Sequence, residues 1–206
     1  GTDDNILMNV TSAKNVTVDV DSGFERATLA LNGTANTVTS ITTPKTGGMS
    51  LTISGSGDAT FSADAFVSSS ALTITNTAAL KFGAIDTLDV KTFTATANTG
   101  GIIGSTALVS PNIYSTDEID GATTGLTMFL GSGNDNVLIN ETAVATKTNT
   151  IMLGAGNDII DIVNAGAGAT YVFGEAGDDS IRVKTTALET TDTISGGDGT
   201  DTLTLP

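Results

Sequence analysis

The chain has 206 residues, of which 39% are hydrophobic, enough for a core, but aromatics make up only 4% and there is no Trp. It contains no Cys and no His, which excludes thiol nucleophiles, Ser-His-Asp triads, HExxH zinc sites, zinc fingers and haem ligation by His. With 23 acidic residues against 8 basic ones, a formal charge of -15, nucleic acid and anionic membranes are poor partners and cations are good ones.

Charged residues are only 15% of the chain, too few for an acidic disordered tail, so the negative charge is sparse and placed. No stretch approaches 18 apolar residues, and no membrane insertion is expected. The absence of Cys suits either a reducing cytosol or export without disulfides. The chain opens on a turn-like GTDDN and reads as an excerpt.

A helical apolar stripe is almost absent, whereas two-residue alternation recurs from end to end. In chain order, Val16, Val18 and Val20, then Leu29 and Leu31, Leu51 and Ile53, Leu72 and Ile74, and Leu88 and Val90 predict short strands bounded by Gly, Asn, Asp, Ser and Thr. The strands also recur at a longer interval. Leu51 to Phe61 reads LTISGSGDATF, Leu72 to Phe82 reads LTITNTAALKF 21 residues later, and Phe93 to Ile103 reads FTATANTGGII after another 21. Stepping back by 22 sets Leu29 and Leu31 on Leu51 and Ile53. Such a period predicts an all-β fold, a right-handed parallel β-solenoid with about 21–23 residues per coil and equivalent residues roughly 4.8 Å apart. A β-sandwich of accidentally similar strands is the alternative. It would need hairpin turns, and Asn32-Gly33 is the only Asn-Gly pair.

Several acidic residues along these coils are candidate cation ligands: Asp58 in SGSGDAT, Asp86 and Asp89 in AIDTLDV, and Asp117, Glu118 and Asp120 in YSTDEIDG. Asp58, and Asp86 with Asp89, could also act as paired carboxylates for glycoside hydrolysis, but no aromatic platform stands beside them and a plain exposed turn is their ordinary reading, as a solvated loop or helix cap is that of Asp117, Glu118 and Asp120. No GK[ST] follows a Gly-rich loop, so nucleotide binding has no support.

The second half repeats one template four times: LGSGNDNV from Leu130 to Val137, LGAGNDII from Leu153 to Ile160, GEAGDDSI from Gly174 to Ile181 and GGDGTDTL from Gly196 to Leu203. The common form is G-G-x-G-x-D-x-U, with U a large apolar residue pointing into the core. Asp135, Asp158, Asp179 and Asp201 follow one another at 23, 21 and 22 residues, the period of the upstream strands, so the turns stack on one edge of the same solenoid. Glycines let such a turn aim its carbonyls at one point, and the Asp carboxylate closes the ring of oxygens. Two neighbouring turns then supply the six or more hard oxygens, at about 2.3–2.6 Å, that Ca²⁺ prefers. Without an ion, carboxylates one strand apart repel by about 3 kcal/mol at an effective dielectric near 20.

These residues resemble the RTX calcium-binding nonapeptide family, the secreted parallel β-roll proteins of Gram-negative bacteria. The resemblance covers residues 130 to 206, with a truncated turn at Gly1 to Ile6 as a further candidate. It implies calcium between adjacent turns, type I secretion as an unfolded chain and folding outside the cell. The ligands it implies are the carbonyls of Leu130, Gly131, Ser132 and Gly133 with the Asp135 carboxylate. In the next turns they are Leu153, Gly154, Ala155 and Gly156 with Asp158, and Gly174, Glu175, Ala176 and Gly177 with Asp179. The last set is Gly196, Gly197, Asp198 and Gly199 with Asp201. The sequence departs from the family in three ways: Leu130 and Leu153 replace the first Gly, Glu175 replaces the second, and only one edge of each coil carries the motif. A single row of up to three ions is expected.

The organisation expected is therefore a Thr-rich β-solenoid over residues 1–129 continuous with an RTX-type calcium-binding β-roll over 130–206. Three functions compete. The first is a structural, self-assembling bacterial surface-layer (S-layer) protein segment, because the Thr-, Ala-, Gly- and Ser-rich upstream half resembles S-layer proteins that carry RTX turns. The others are an adhesin and an accessory module of a secreted polysaccharide-acting enzyme. Missing His and sparse aromatics argue against catalysis, so no catalytic residue is expected. Self-association into a two-dimensional array, and cell-surface polysaccharide bound through regions outside this segment, are the expected partners besides calcium.

Overall fold

In the computed structural model, residues 4–20, 24–42, 49–62, 66–67, 69–82, 92–104, 114–116, 127–141, 148–165 and 168–206 are described. Their strands come in pairs along the chain. The first are β1 (Asn5–Thr11) with β2 (Val16–Asp19), β3 (Arg26–Asn32) with β4 (Asn36–Thr42), and β5 (Met49–Gly55) with β6 (Ala59–Phe61). After the short β7 (Phe66–Val67) come β8 (Ser69–Ile74) with β9 (Leu80–Phe82) and β10 (Thr92–Thr94) with β11 (Ile102–Gly104). Beyond β12 (Tyr114–Thr116) the pairs are β13 (Thr127–Phe129) with β14 (Asn136–Glu141), β15 (Asn149–Met152) with β16 (Ile159–Ala165), β17 (Thr170–Ala176) with β18 (Ser180–Val183), and β19 (Thr193–Asp198) with β20 (Thr202–Thr204).

The first member of each pair joins one sheet, of nine strands, and the second joins another, of eleven including β7 and β12. Every pairing among the described residues is parallel. That excludes an antiparallel sandwich, and the all-β parallel solenoid fits the right-handed β-roll the period predicts. No helix among the described residues is long and apolar enough to cross a membrane.

The alternation of the sequence sets the core. In β3, Ala27, Leu29 and Leu31 are buried while Thr28 and Ala30 lie half-buried on the outer face. The inward residues of both sheets merge into one cluster running from Val18 to Ala187. Phe61 stacks on Phe82 with ring centroids 4.7 Å apart, and Phe82 meets Phe93 of the other sheet edge-on at 6.2 Å. Each fully buried Leu, Ile or Phe contributes about 1.5–3 kcal/mol, and the stack is continuous, so neighbouring coils stabilise one another.

The expected registers hold where the 21-residue period is strict: Leu51 pairs with Leu72 and Leu72 with Phe93. They slip in two places. Leu29 pairs with Ile53, and Ala27 with Leu51, instead of the expected Leu29 with Leu51. A shift of two leaves every inward residue inward, so alternation alone cannot choose between these registers. At the end of FTATANTGGII, Gly104 and not Ile103 pairs with Phe82, because the turn is one residue longer. Thr92 pairs with Thr127, so between these two strands the sequence interval is longer than the period. Leu88 and Val90 lie outside the described residues.

Candidate metal centre

The four template turns each carry the chain from the first sheet to the second, between β13 and β14, β15 and β16, β17 and β18, and β19 and β20. Asp135, Asp158, Asp179 and Asp201 immediately precede Asn136, Ile159, Ser180 and Thr202, which pair in register. The four aspartates therefore form one column along the roll. Two residues on, Val137, Ile160 and Ile181 are buried as the template requires, while Leu203 in the last of these coils is 52% exposed.

One oxygen of each carboxylate ties the coils together. Asp158 Oδ1 accepts the Asp135 N–H at 2.8 Å, Asp179 Oδ1 the Asp158 N–H at 2.9 Å, and Asp201 Oδ1 the Asp179 N–H at 3.0 Å. Asp135 Oδ1 accepts the N–H of Ile102, one coil earlier. The other oxygen has no such role. Oδ2 of Asp135, Asp158 and Asp179 is buried without a hydrogen-bond partner, and these side chains are only 2%, 1% and 2% exposed.

Burying a carboxylate oxygen without a partner is costly. Burial is the main cause that pushes the Asp135 and Asp158 carboxyls up to about 7, and it raises Asp179 as well. The negative charge of the next aspartate in the column, Asp158, Asp179 and Asp201 respectively, pushes the same way, against the N–H groups of the preceding coil and, for Asp135, also the Gly131 N–H of its own turn. A divalent cation beside Oδ2 would give the oxygen a partner and neutralise the repulsion together. The donor set suits a hard cation: among the described residues no three His, Cys, Asp or Glu side chains converge, so the remaining ligands would be backbone carbonyls. Some of these are already engaged. The carbonyls of Gly131 and Gly154 accept from Ala155 and Ala176, and those of Ala176 and Asp198 accept from Gly156 and Gly177, which leaves each oxygen one lone pair.

The turns are not identical. Gly154, Glu175 and Gly197, equivalent in the stack, all take positive φ, at 96°, 72° and 107°. Glu175 thus adopts a conformation that costs a side chain about 1–2 kcal/mol. A Cβ on Gly177, at φ 138°, would overlap the Gly156 carbonyl. Gly131 and Gly133 of the first turn are not among the positive-φ residues. A Cβ at Gly131 would overlap the Asn98 carbonyl and one at Gly133 the Gly101 backbone, in the turn on which this one stacks, which lacks the template. Leu130 and Leu153, departures at the first position, are buried core residues, whereas at Gly174 and Gly196 a Cβ would overlap Oδ2 of Asp179 and Asp201.

Two features went unread in the sequence. A second ladder runs beside the aspartates in the opposite sense: Asn134 Oδ1 accepts from Asn157 N at 2.9 Å, Asn157 Oδ1 from Asp178 N at 3.0 Å, and Asp178 Oδ1 from Thr200 N at 2.8 Å. Its signal was the residue before each motif Asp, reading Asn, Asn, Asp, Thr. Upstream, Asn36, Asn76 and Asn98 are buried, at 1%, 0% and 1% exposure. Of the other candidates, Asp58 uses both oxygens to accept from Ala35 N, at 3.1 and 3.2 Å, and so acts as a coil-to-coil link. Asp86, Asp89, Asp117, Glu118, Asp120 and residues 1–3 of the candidate truncated turn lie outside the described residues; its Asn5 and Ile6 belong to β1 of the first sheet, whereas each template turn leads into the second. The opposite edge at 184–193 holds a short 3-10 turn (Thr185–Ala187) and Asp192, which accepts from Thr170 N and Glu189 N.

Residues 146–181 and 188–205 match the family model of the RTX calcium-binding nonapeptide repeat, in four copies. The match takes in the turns at 153, 174 and 196 and starts after the turn at 130, whose backbone differs. No curated protein and no solved structure matches the chain.

Proposed function

We propose that this chain, which carries RTX calcium-binding nonapeptide repeats, is a structural and non-catalytic segment of a calcium-dependent S-layer, secreted by a type I route and folded at the surface of a Gram-negative bacterium. RTX repeats bind calcium and are typical of secreted proteins. The observation that carries the calcium dependence is the buried, partnerless Oδ2 of three successive aspartates. Calcium would bind between adjacent turns, with each Asp supplying Oδ2 and the turns their free carbonyl lone pairs.

The outer faces support self-association. Thr28, Thr52, Thr73 and Thr94 stand in register on the first sheet, half-buried and uncharged. A surface that repeats with every coil suits lateral packing against copies of itself. A charge of -15 opposes that packing, so calcium would both order the turns and lower the repulsion between neighbours. Monovalent salt screens the long-range part and cannot replace coordination.

Electron microscopy in millimolar calcium, in EGTA, and in EGTA with high NaCl tests the proposal. Two-dimensional sheets in calcium alone are expected. Sheets that form equally in EGTA with NaCl would reduce calcium to a counter-ion. A chain that stays monomeric in calcium would favour the adhesin or accessory-module reading.

A further inference from the structure

The motif column continues upstream of Asp135 as Ile102, Leu80, Ala59 and Asn36, each in register with the next. Asn36 is therefore a polar occupant of the motif column, and it bonds as the aspartates do and more. Its Oδ1 accepts the N–H of Ala13, one coil earlier, at 3.2 Å. Its Nδ2 donates to the carbonyl of Asn32 in its own turn at 3.1 Å and to that of Asp58 in the next turn at 3.0 Å. Nδ2 thus occupies the place of the motif's partnerless Oδ2 and reaches carbonyls of two successive turns, the kind of oxygens a cation between turns would bind.

The next coils solve the same problem from a different position. Where the column is apolar, the turn interior is filled by Asn76, whose Nδ2 donates to the carbonyls of Ser54 and Gly57, both at 3.1 Å, while its Oδ1 accepts from Ala78 N at 2.8 Å. Asn98 repeats the pattern one coil on. It donates to the carbonyls of Asn76 and Ala78 at 2.7 and 2.8 Å and accepts from Gly101 N at 2.8 Å. None of these three amides has a buried atom without a partner, in contrast to Asp135, Asp158 and Asp179.

We propose that the Asn36, Asn76 and Asn98 amides take the part of the bound cation in the upstream coils, so that the described strands from β3 to β11 fold without calcium and present the end on which the calcium-dependent strands from β13 to β20 wind. An amide Nδ2 carries two donors and so links two inward carbonyls directly, whereas an ionised carboxylate only accepts and needs a cation or a water between itself and each carbonyl. The inference deepens the calcium reading of the Asp turns and rests on it.

Hydrogen exchange read by mass spectrometry on the whole chain, in millimolar calcium and in EGTA, tests it. Peptides over 51–82 and 92–104 should keep their protection within about twofold in EGTA, while peptides over 149–183 should lose more than about tenfold. If both regions lose protection together, the inference fails and the calcium reading stands. If neither changes, both fail. Asn36→Asp removes the two donors and keeps the shape, leaving a carboxylate in the motif column. It should make protection over 26–61 calcium-dependent, and equal exchange of that region in EGTA and calcium would overturn the assignment. Should the variant be insoluble, the comparison on the unaltered chain decides.

Discussion

Replacing Asp158 by Asn should stabilise the chain in EGTA and cost it calcium stabilisation, an inversion that ordinary loss of a contact would not give. The asparagine keeps Oδ1, and with it the bond to the Asp135 N–H. It removes the buried charge and puts two donors where Oδ2 now has no partner. A carboxyl held near 7 instead of 3.8 is destabilising when ionised at pH 8 by on the order of 4 kcal/mol, at 1.36 kcal/mol per pH unit. The variant should recover much of that without calcium. In 1 mM calcium, an ion with a dissociation constant near 0.1 mM contributes about 1.4 kcal/mol, and the variant loses the share of the ions that Asp158 would hold. Urea unfolding followed by circular dichroism at pH 8, in EGTA and in calcium, measures both effects. An Asp158→Asn chain less stable than the parent in EGTA, or one that gains the full calcium increment, would refute the reasoning.

The same raised carboxyls set a pH dependence. Folding in EGTA favours their protonated forms, so this stability is fully present below the ordinary carboxylate range near 4 and is lost as pH rises towards 7. Melting in EGTA should therefore occur at higher temperature at pH 5 than at pH 8, and the gain from calcium should be smaller at pH 5; the opposite order would count against the buried column. Glu175→Gly should raise stability by up to about 1 kcal/mol in denaturant titrations, since φ 72° favours glycine, and a loss would mean the Glu175 side chain makes a compensating contact. Arg182→Ala should destabilise by about 2 kcal/mol, because it strips the bidentate partner from Asp161, which is buried; an unchanged urea midpoint would show that pair to be energetically idle.

What the sequence disclosed and what it hid divide along physical lines. The column of Asp135, Asp158, Asp179 and Asp201 was legible because glycines and aspartates at fixed spacing constrain both backbone and charge. The parallel stacking was legible because Leu51, Leu72 and Phe93 repeat at one interval. The pairing of Leu29 with Ile53 was not, since a slip of two residues preserves the inward pattern and the loop absorbs the difference. Asn36, Asn76 and Asn98 were hidden for another reason: in chains rich in Asn and Thr, a buried asparagine looks like any turn residue until the carbonyls around it are placed. Nor did the template reveal that the turn at Leu130 differs from its successors. It rests on the Asn98 turn, and what a motif stacks against is a tertiary fact.

The central claim is that calcium enters the row of aspartate turns. Calorimetric titration of calcium into the chain freed of metal with EGTA and then dialysed tests it most directly, with Asp158→Asn as the comparison. The account predicts saturable binding of up to three ions, weakened in the variant. Binding that never saturates, or that Asp158→Asn leaves unchanged, would contradict it.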